Sequence, residues 1–238
     1  MDHYIVEIGS LDWLYGWLVV LILGVFALRI IPKIQSLNPR HFEIAWGAIL
    51  FLMMGIEHFE MIRAGVWDLQ YSLPLQMCSL SGFLLIFTLW FRNKWTYLFV
   101  LFWGVSGGLH SFLTPEHTLG GEPLFFWSYN LWHASIIIGP LYFFFIQKWG
   151  IPKRSFLKVF GYTHVVWIAV GLIDWEIGAN YMYVLEPPAA ENPFVVGKFP
   201  YHLIGFEIAG IIHFGLTAVI FSWIQKRRSI NAGIWAST

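Results

Sequence analysis

The sequence predicts an all-α membrane protein, a bundle of seven transmembrane helices, and three observations carry that prediction. Hydrophobic residues make up 58% of the 238 positions and charged residues only 12%. Apolar stretches long enough to cross a bilayer, about 17–25 residues each, recur seven times, near 13–31, 43–62, 73–91, 95–113, 124–147, 156–176 and 203–224. Lysine and arginine fall almost entirely in alternate connections between them.

The charge pattern orients the bundle. Arg29, Lys33 and Arg40 follow the first helix. Arg92 and Lys94 separate the third from the fourth, and Lys148, Lys153, Arg154 and Lys158 separate the fifth from the sixth. Lys226, Arg227 and Arg228 follow the seventh, leaving only Arg63 and Lys198 on the opposite side. The positive-inside rule then places the N-terminus outside and the C-terminus in the cytoplasm of a multi-pass protein of the cell (plasma) membrane. Residues 1–12 contain Asp2, Glu7 and Asp12 but no Lys or Arg, so the first helix lacks the basic flank of a cleavable signal and is read as retained. Seven helices and their loops account for residues 1–238 as one transmembrane domain. Net charge is zero at neutral pH, and no nucleic-acid partner is implied. Trp13, Trp17, Trp90, Trp95, Trp127, Trp149, Trp175 and Trp223 stand near helix ends, where amphipathic rings prefer the interface. Prolines 187, 188, 193 and 200 break the long connection from Gly178 to His202, a candidate lid.

Ionisable side chains inside a membrane are costly, so their positions carry functional information. In these seven helices they gather toward the outer face. Glu57, His58 and Glu60 fall in the last turns of the second helix. Cys78 lies near the start of the third, His110 near the outer end of the fourth, Asn130 and His133 in the outer half of the fifth, Asp174 at the end of the sixth, and Glu207 one turn into the seventh. His164 and His213 are read as interhelical hydrogen-bonding residues. The Ser106-Gly107-Gly108 run allows close helix packing. Ser72 as N-cap and Pro74 in the first turn predict that the third helix starts at Leu73, which places the single thiol within two turns of the positive end of a helix dipole. An outward-facing polar pocket with one thiol and several imidazoles is the expected site. His133 and His110 are both candidates for the base that would activate Cys78.

Further elements carry a resemblance. Leu73-Pro74-Leu75-Gln76-Met77-Cys78, Trp103-Gly104, Leu113-Thr114-Pro115, Trp132-His133, Gly178-Ala179-Asn180-Tyr181-Met182-Tyr183-Val184-Leu185 and Phe199-Pro200-Tyr201 occur in an order that resembles the bacterial YwaF-type integral membrane proteins. These are similar to the eukaryotic transmembrane-protein-164 family. The resemblance implies an enzyme that moves fatty acyl chains between phospholipids through a cysteine and a histidine. Carried onto this sequence, the nucleophile is Cys78 and the base His133, with Gln76 standing where many relatives have His. Glu57, His58, Gln76, His110, Asn130, Asp174, Asn180 and Tyr181 form the expected supporting pocket. Asn130 or backbone amides at the start of the third helix would serve the oxyanion, and Asp174 or Glu57 would orient the imidazole. The expected partners are membrane lipids, phospholipid and lysophospholipid, and no cofactor or metal is called for. Two alternatives come from other classes. One is a metal-dependent lipid hydrolase built on His58, His110 and His133, and the other a transporter or binding protein that uses the same polar zone without covalent chemistry.

Overall fold

The computed structural model describes residues 4–34, 36–117, 122–188 and 197–228. Among them are seven helical rods. The first is α1, Leu11–Val25, whose first turn is capped by the Ser10 hydroxyl. It continues through a π turn at Phe26–Ile30 and a 3-10 turn at Ile31–Lys33. Asn38 caps α2, Pro39–Arg63, which has Pro at its first position, where a missing N–H costs nothing. α3 is Met77–Phe91. The predicted fourth span is one rod of three pieces: α4, Lys94–Phe99; a π turn, Val100–Gly104; and α5, Val105–Leu113. α6 is Pro123–Phe145, α7 Ser155–Ile177 and α8 Tyr201–Arg228. Two short strands, β1 (Tyr4–Ile5) and β2 (Glu116–His117), pair antiparallel and tie the N-terminal segment to the end of α5.

This is an all-α membrane protein. Five rods are long and apolar enough to cross a bilayer: Leu11–Lys33, Pro39–Arg63, Lys94–Leu113, Ser155–Ile177 and Tyr201–Arg228. Their outer faces carry exposed Leu, Ile, Val and aromatic side chains such as Leu172, Val219 and Ile168, the surface a lipid solvent requires. α6 is the hub. It packs against α1, α2, α3 and α5 and buries residues on every face, including Asn130, Ser135 and Tyr142. A helix enclosed by others can carry polar side chains that a lipid-facing one cannot. Gly104 and Gly108 bring α5 against α6, since a Cβ on Gly108 would lie 2.6 Å from Ile137 Cγ1 and one on Gly104 would overlap the Ile136 carbonyl.

The basic end of the bundle is closed by a buried carboxylate. Glu43, fully buried on α2, receives a two-pronged Arg92 guanidinium at 2.7 and 2.8 Å, Arg40 at 3.2 Å, the Tyr142 hydroxyl at 3.1 Å and Gln147 Nε2 at 3.0 Å. Arg40 also donates to the carbonyls of Leu89 and Trp90. One acid thereby joins the start of α2, the end of α3 and the end of α6. Sequence reasoning assigned acids to the opposite face and did not single it out.

The start of the third helix differs from expectation. α3 begins at Met77, with Gln76 rather than Ser72 at the cap. Ser72 Oγ instead accepts from the Asp68 amide, and Leu73 donates its N–H to the Tyr181 hydroxyl at 2.8 Å. Leu75 turns back on the Leu73 carbonyl. With these groups engaged elsewhere, residues 73–76 stay outside the helix and Cys78 becomes its second residue. At about 1.5 Å per residue, the 15-residue α3 is roughly 22 Å long, shorter than the ~30 Å hydrocarbon layer.

Candidate functional site

The thiol therefore stands at a helix N-terminus beneath a non-helical segment, and α5 closes over it. Cys78 Sγ lies 3.9 Å from Ser111 Oγ, and a Cβ on Gly107 would stand 3.1 Å from the sulfur. Ser111 in turn donates to the Gly107 carbonyl. Trp132 of α6 donates its indole N–H to the Cys78 carbonyl at 3.1 Å and packs on Gly82, where a Cβ would overlap its ring. Gly107 and Gly82 leave room for the sulfur and the indole on either side of the same backbone.

Cys78 lines a cavity of about 590 Å³, within the ~300–1,000 Å³ usual for small-molecule sites. Glu57, His58, Gln76, His110 and His133 line it as well. His133, on α6, sits 4.1 Å centroid to centroid from Tyr129 and has Nδ1 2.8 Å from the Tyr129 carbonyl. A ring nitrogen beside a carbonyl carries the proton, so Nε2 carries the lone pair, the arrangement of a general base. His58 has the opposite tautomer: its Nδ1 accepts from Trp67 Nε1 at 3.1 Å, which makes Nε2 the N–H. The Ser128 hydroxyl donates to Glu57. Gln76 Oε1 accepts from the Met182 amide at 2.9 Å, a structural bond that ties the cap of α3 to the segment between α7 and α8.

Four of the expected supporting residues lie off the cavity wall. Asn130 is buried against α1, its Oδ1 2.6 Å from where a Cβ on Gly16 would be, and its amide donates to the Phe126 carbonyl; it faces away from the thiol and is no oxyanion donor. Asp174 is fully buried at the end of α7, outside the lining, so the orienting role considered for it is withdrawn. Asn180 caps the turn that follows α7, accepting from the Leu185 and Glu186 amides at 3.1 and 3.0 Å. Tyr181 pins the chain before α3, taking the Leu73 N–H and donating to the Leu69 carbonyl, each at 2.8 Å. The Gly-x-Asn-Tyr-Met element is thus a fastening for the segment between α7 and α8, and it brings Met182, Tyr183 and Pro188 onto the cavity wall.

Burial pushes the Tyr181 phenol up to about 12, reinforced by Asp174 and Asp68 and opposed by the Leu73 hydrogen bond. A group whose pKa rises on folding contributes stability below its unfolded pKa, near 10 for tyrosine, and loses it as pH climbs through the folded value. Tyr181→Phe is expected to cost about 1–3 kcal/mol at neutral pH through the stranded Leu73 amide. Alkaline denaturation in detergent should then show a shallower fall in stability between pH 10 and 12 than the native protein.

Sequence reasoning missed other members of the wall. Ser111 carried no motif. His164 and His213, read as interhelical hydrogen-bonding residues, make such bonds and also line the cavity with Glu207. His164 Nε2 is 2.8 Å from Glu207 Oε1, and His213 Nε2 is 3.0 Å from His110 Nε2. The signal was helical spacing: Glu207, Gly210, His213 and Phe214 share one face of α8. Among the described residues no three His, Cys, Asp or Glu side chains converge to hold a metal ion.

The model of the TMEM164 family matches residues 7–218, most of the chain. The chain belongs to the TMEM164 family. No curated protein and no solved structure matches it. Membership in the TMEM164 family and the apolar helices together make it a multi-pass membrane protein, and within that match fall Cys78, His133 and the fastening at 178–185.

Proposed function

We propose that this protein is a membrane-embedded lipid acyltransferase that uses Cys78 as nucleophile and His133 as base, in a single domain of seven membrane crossings with the N-terminus outside and the C-terminus in the cytoplasm. The observation that supports the reading is that the thiol and an imidazole whose Nδ1 is held by a backbone carbonyl line the same largely apolar cavity. His133 Nε2 takes the thiol proton and the sulfur attacks the ester carbonyl of a glycerophospholipid. The carbonyl electrons move onto oxygen, toward the backbone N–H groups of the first turn of α3, which have no partners within the helix. As they return, the carbon–oxygen bond breaks, and the imidazolium gives its proton to the departing lysophospholipid. A second lysophospholipid repeats the sequence in reverse on the thioester. Met54, Met61, Phe125 and Phe160 supply apolar lining for the chain.

The test is chemical. Purified protein incubated with phospholipid radiolabelled in its acyl chains should acquire a label that hydroxylamine releases, and His133→Ala should slow labelling by about 10²-fold or more. Wild-type protein that moves acyl chains without ever carrying the label would sink the covalent mechanism. Orientation is tested separately: a reporter after Arg228 should be cytoplasmic and one near Met1 external, and both on one side would rule out seven crossings.

A further inference from the structure

Five imidazoles line the cavity, and no Lys or Arg does among the described residues. A phosphodiester carries a full negative charge, so any positive charge that meets it inside this cavity has to be an imidazolium. Hydrogen-bonding partners sort the five. His133 serves as a neutral base. His58 accepts from Trp67 through Nδ1, and a second proton there would break that bond. His164 donates through Nδ1 to the Phe160 carbonyl at 2.8 Å while its Nε2 meets Glu207; one proton lies between them, and the pair is neutral whichever partner holds it.

His110 and His213 differ. His213 Nδ1 lies 2.6 Å from the Ala209 carbonyl and so carries a proton, which makes its Nε2 an acceptor. The 3.0 Å contact with His110 Nε2 is then satisfied by an N–H on His110, and the lone pair of the neutral pair sits on His110 Nδ1. Adding a proton there breaks no bond: His110 becomes an imidazolium whose Nε2–H is already held by His213 and whose Nδ1–H is a new charged donor. His110 is also one residue from Ser111 and three from Gly107, the two α5 residues against Cys78.

We propose that the His110–His213 pair is the phosphate subsite of this cavity, taking up one proton as it binds the phosphodiester of the lipid whose ester faces Cys78. This rests on the acyltransfer reading for the identity of the occupant. The other titratable groups facing the cavity are Glu57 and His58 on α2, Tyr71 before α3, Cys78 on α3, Tyr129 and His133 on α6, His164 on α7, Tyr183 before α8 and Glu207 on α8.

Binding to full-length Cys78→Ala protein in detergent reads the subsite without turnover. Phosphatidylglycerol should bind roughly tenfold more tightly at about pH 5.5 than at about pH 8, spanning the ordinary imidazole range. Calorimetry in buffers of different ionisation enthalpy should show uptake of about one proton at the upper end of that range, where the pair starts neutral. Diacylglycerol with the same chains should bind with no pH step. His110→Gln should hold phosphatidylglycerol at the weak, high-pH level throughout with no proton uptake, and His110→Lys should bind it tightly and flatly across the range. A pH-independent affinity in the parent protein, a His110→Gln variant that keeps the step, or inorganic phosphate bound as tightly as the lipid would each overturn the assignment. Failure of the thioester experiment would sink the acyltransferase reading alone, because these measurements involve no covalent step.

Discussion

Cys78→Ala is expected to abolish acyl transfer, lowering turnover by roughly 10³-fold or more, the usual penalty for removing a nucleophile, and to leave no hydroxylamine-sensitive label. The protein should still fold. Among the described residues the sulfur makes one weak polar contact, with Ser111, and lies beside Gly107, so truncation opens little space and strands no strong donor. Cys78→Ser should be nearly as inactive, because a hydroxyl fits but ionises poorly. Ser111→Ala, which removes that contact and keeps the thiol, should retain most activity. Measuring transfer and labelling in parallel separates chemistry from binding: a Cys78→Ala protein that keeps most of its transfer activity would end the thiol mechanism.

The second large effect lies at the other end of the bundle. Glu43→Ala is expected to destabilise the protein by about 3 kcal/mol, at the low end of the range for breaking a buried ion pair because Arg92 and Arg40 are partly exposed. Removal of the carboxylate leaves two guanidinium groups, the Tyr142 hydroxyl and the Gln147 amide without their common acceptor. Glu43→Gln keeps the shape and one acceptor oxygen, and should lose less. Thermal unfolding in detergent gives the ranking. Glu43 is 14 residues before Glu57 on the same helix, about 21 Å along the axis, so acyl transfer at low temperature should survive in whatever fraction remains folded. A Glu43→Ala protein as stable as the parent would show the network to be incidental.

The helices and their approximate limits were legible because apolar length and charge spacing are properties of the chain alone. The start of α3 was not. Ser72 and Pro74 are a sound local cap, but tertiary bonds from Tyr181 to Leu73 and from Gln76 to Met182 come from more than 100 residues away and hold that segment extended. The site divided in the same way. Glu57, Cys78, His110 and His133 line one cavity; depth along a helix follows from counting residues. Azimuth does not, and Asn130 and Asp174 were at the right depth on the wrong face. His164 and His213 make the interhelical hydrogen bonds expected of them, to Glu207 and His110, but their place on the cavity wall was not legible from spacing alone.

Azimuth on the α4–α5 rod depends on its π turn. The turn Val100–Gly104 holds one residue more than an α-helix would spend there, and each residue rotates a helix by about 100°. Gly107, His110 and Ser111 all follow it. The turn therefore acts as a phase setting: losing one residue between Val100 and Gly104 would swing all three off the cavity together while leaving every functional side chain in place in the sequence. The length of this short stretch is accordingly as binding a constraint on the site as the identity of the cysteine, and an insertion or deletion there should be as damaging as a substitution at the thiol.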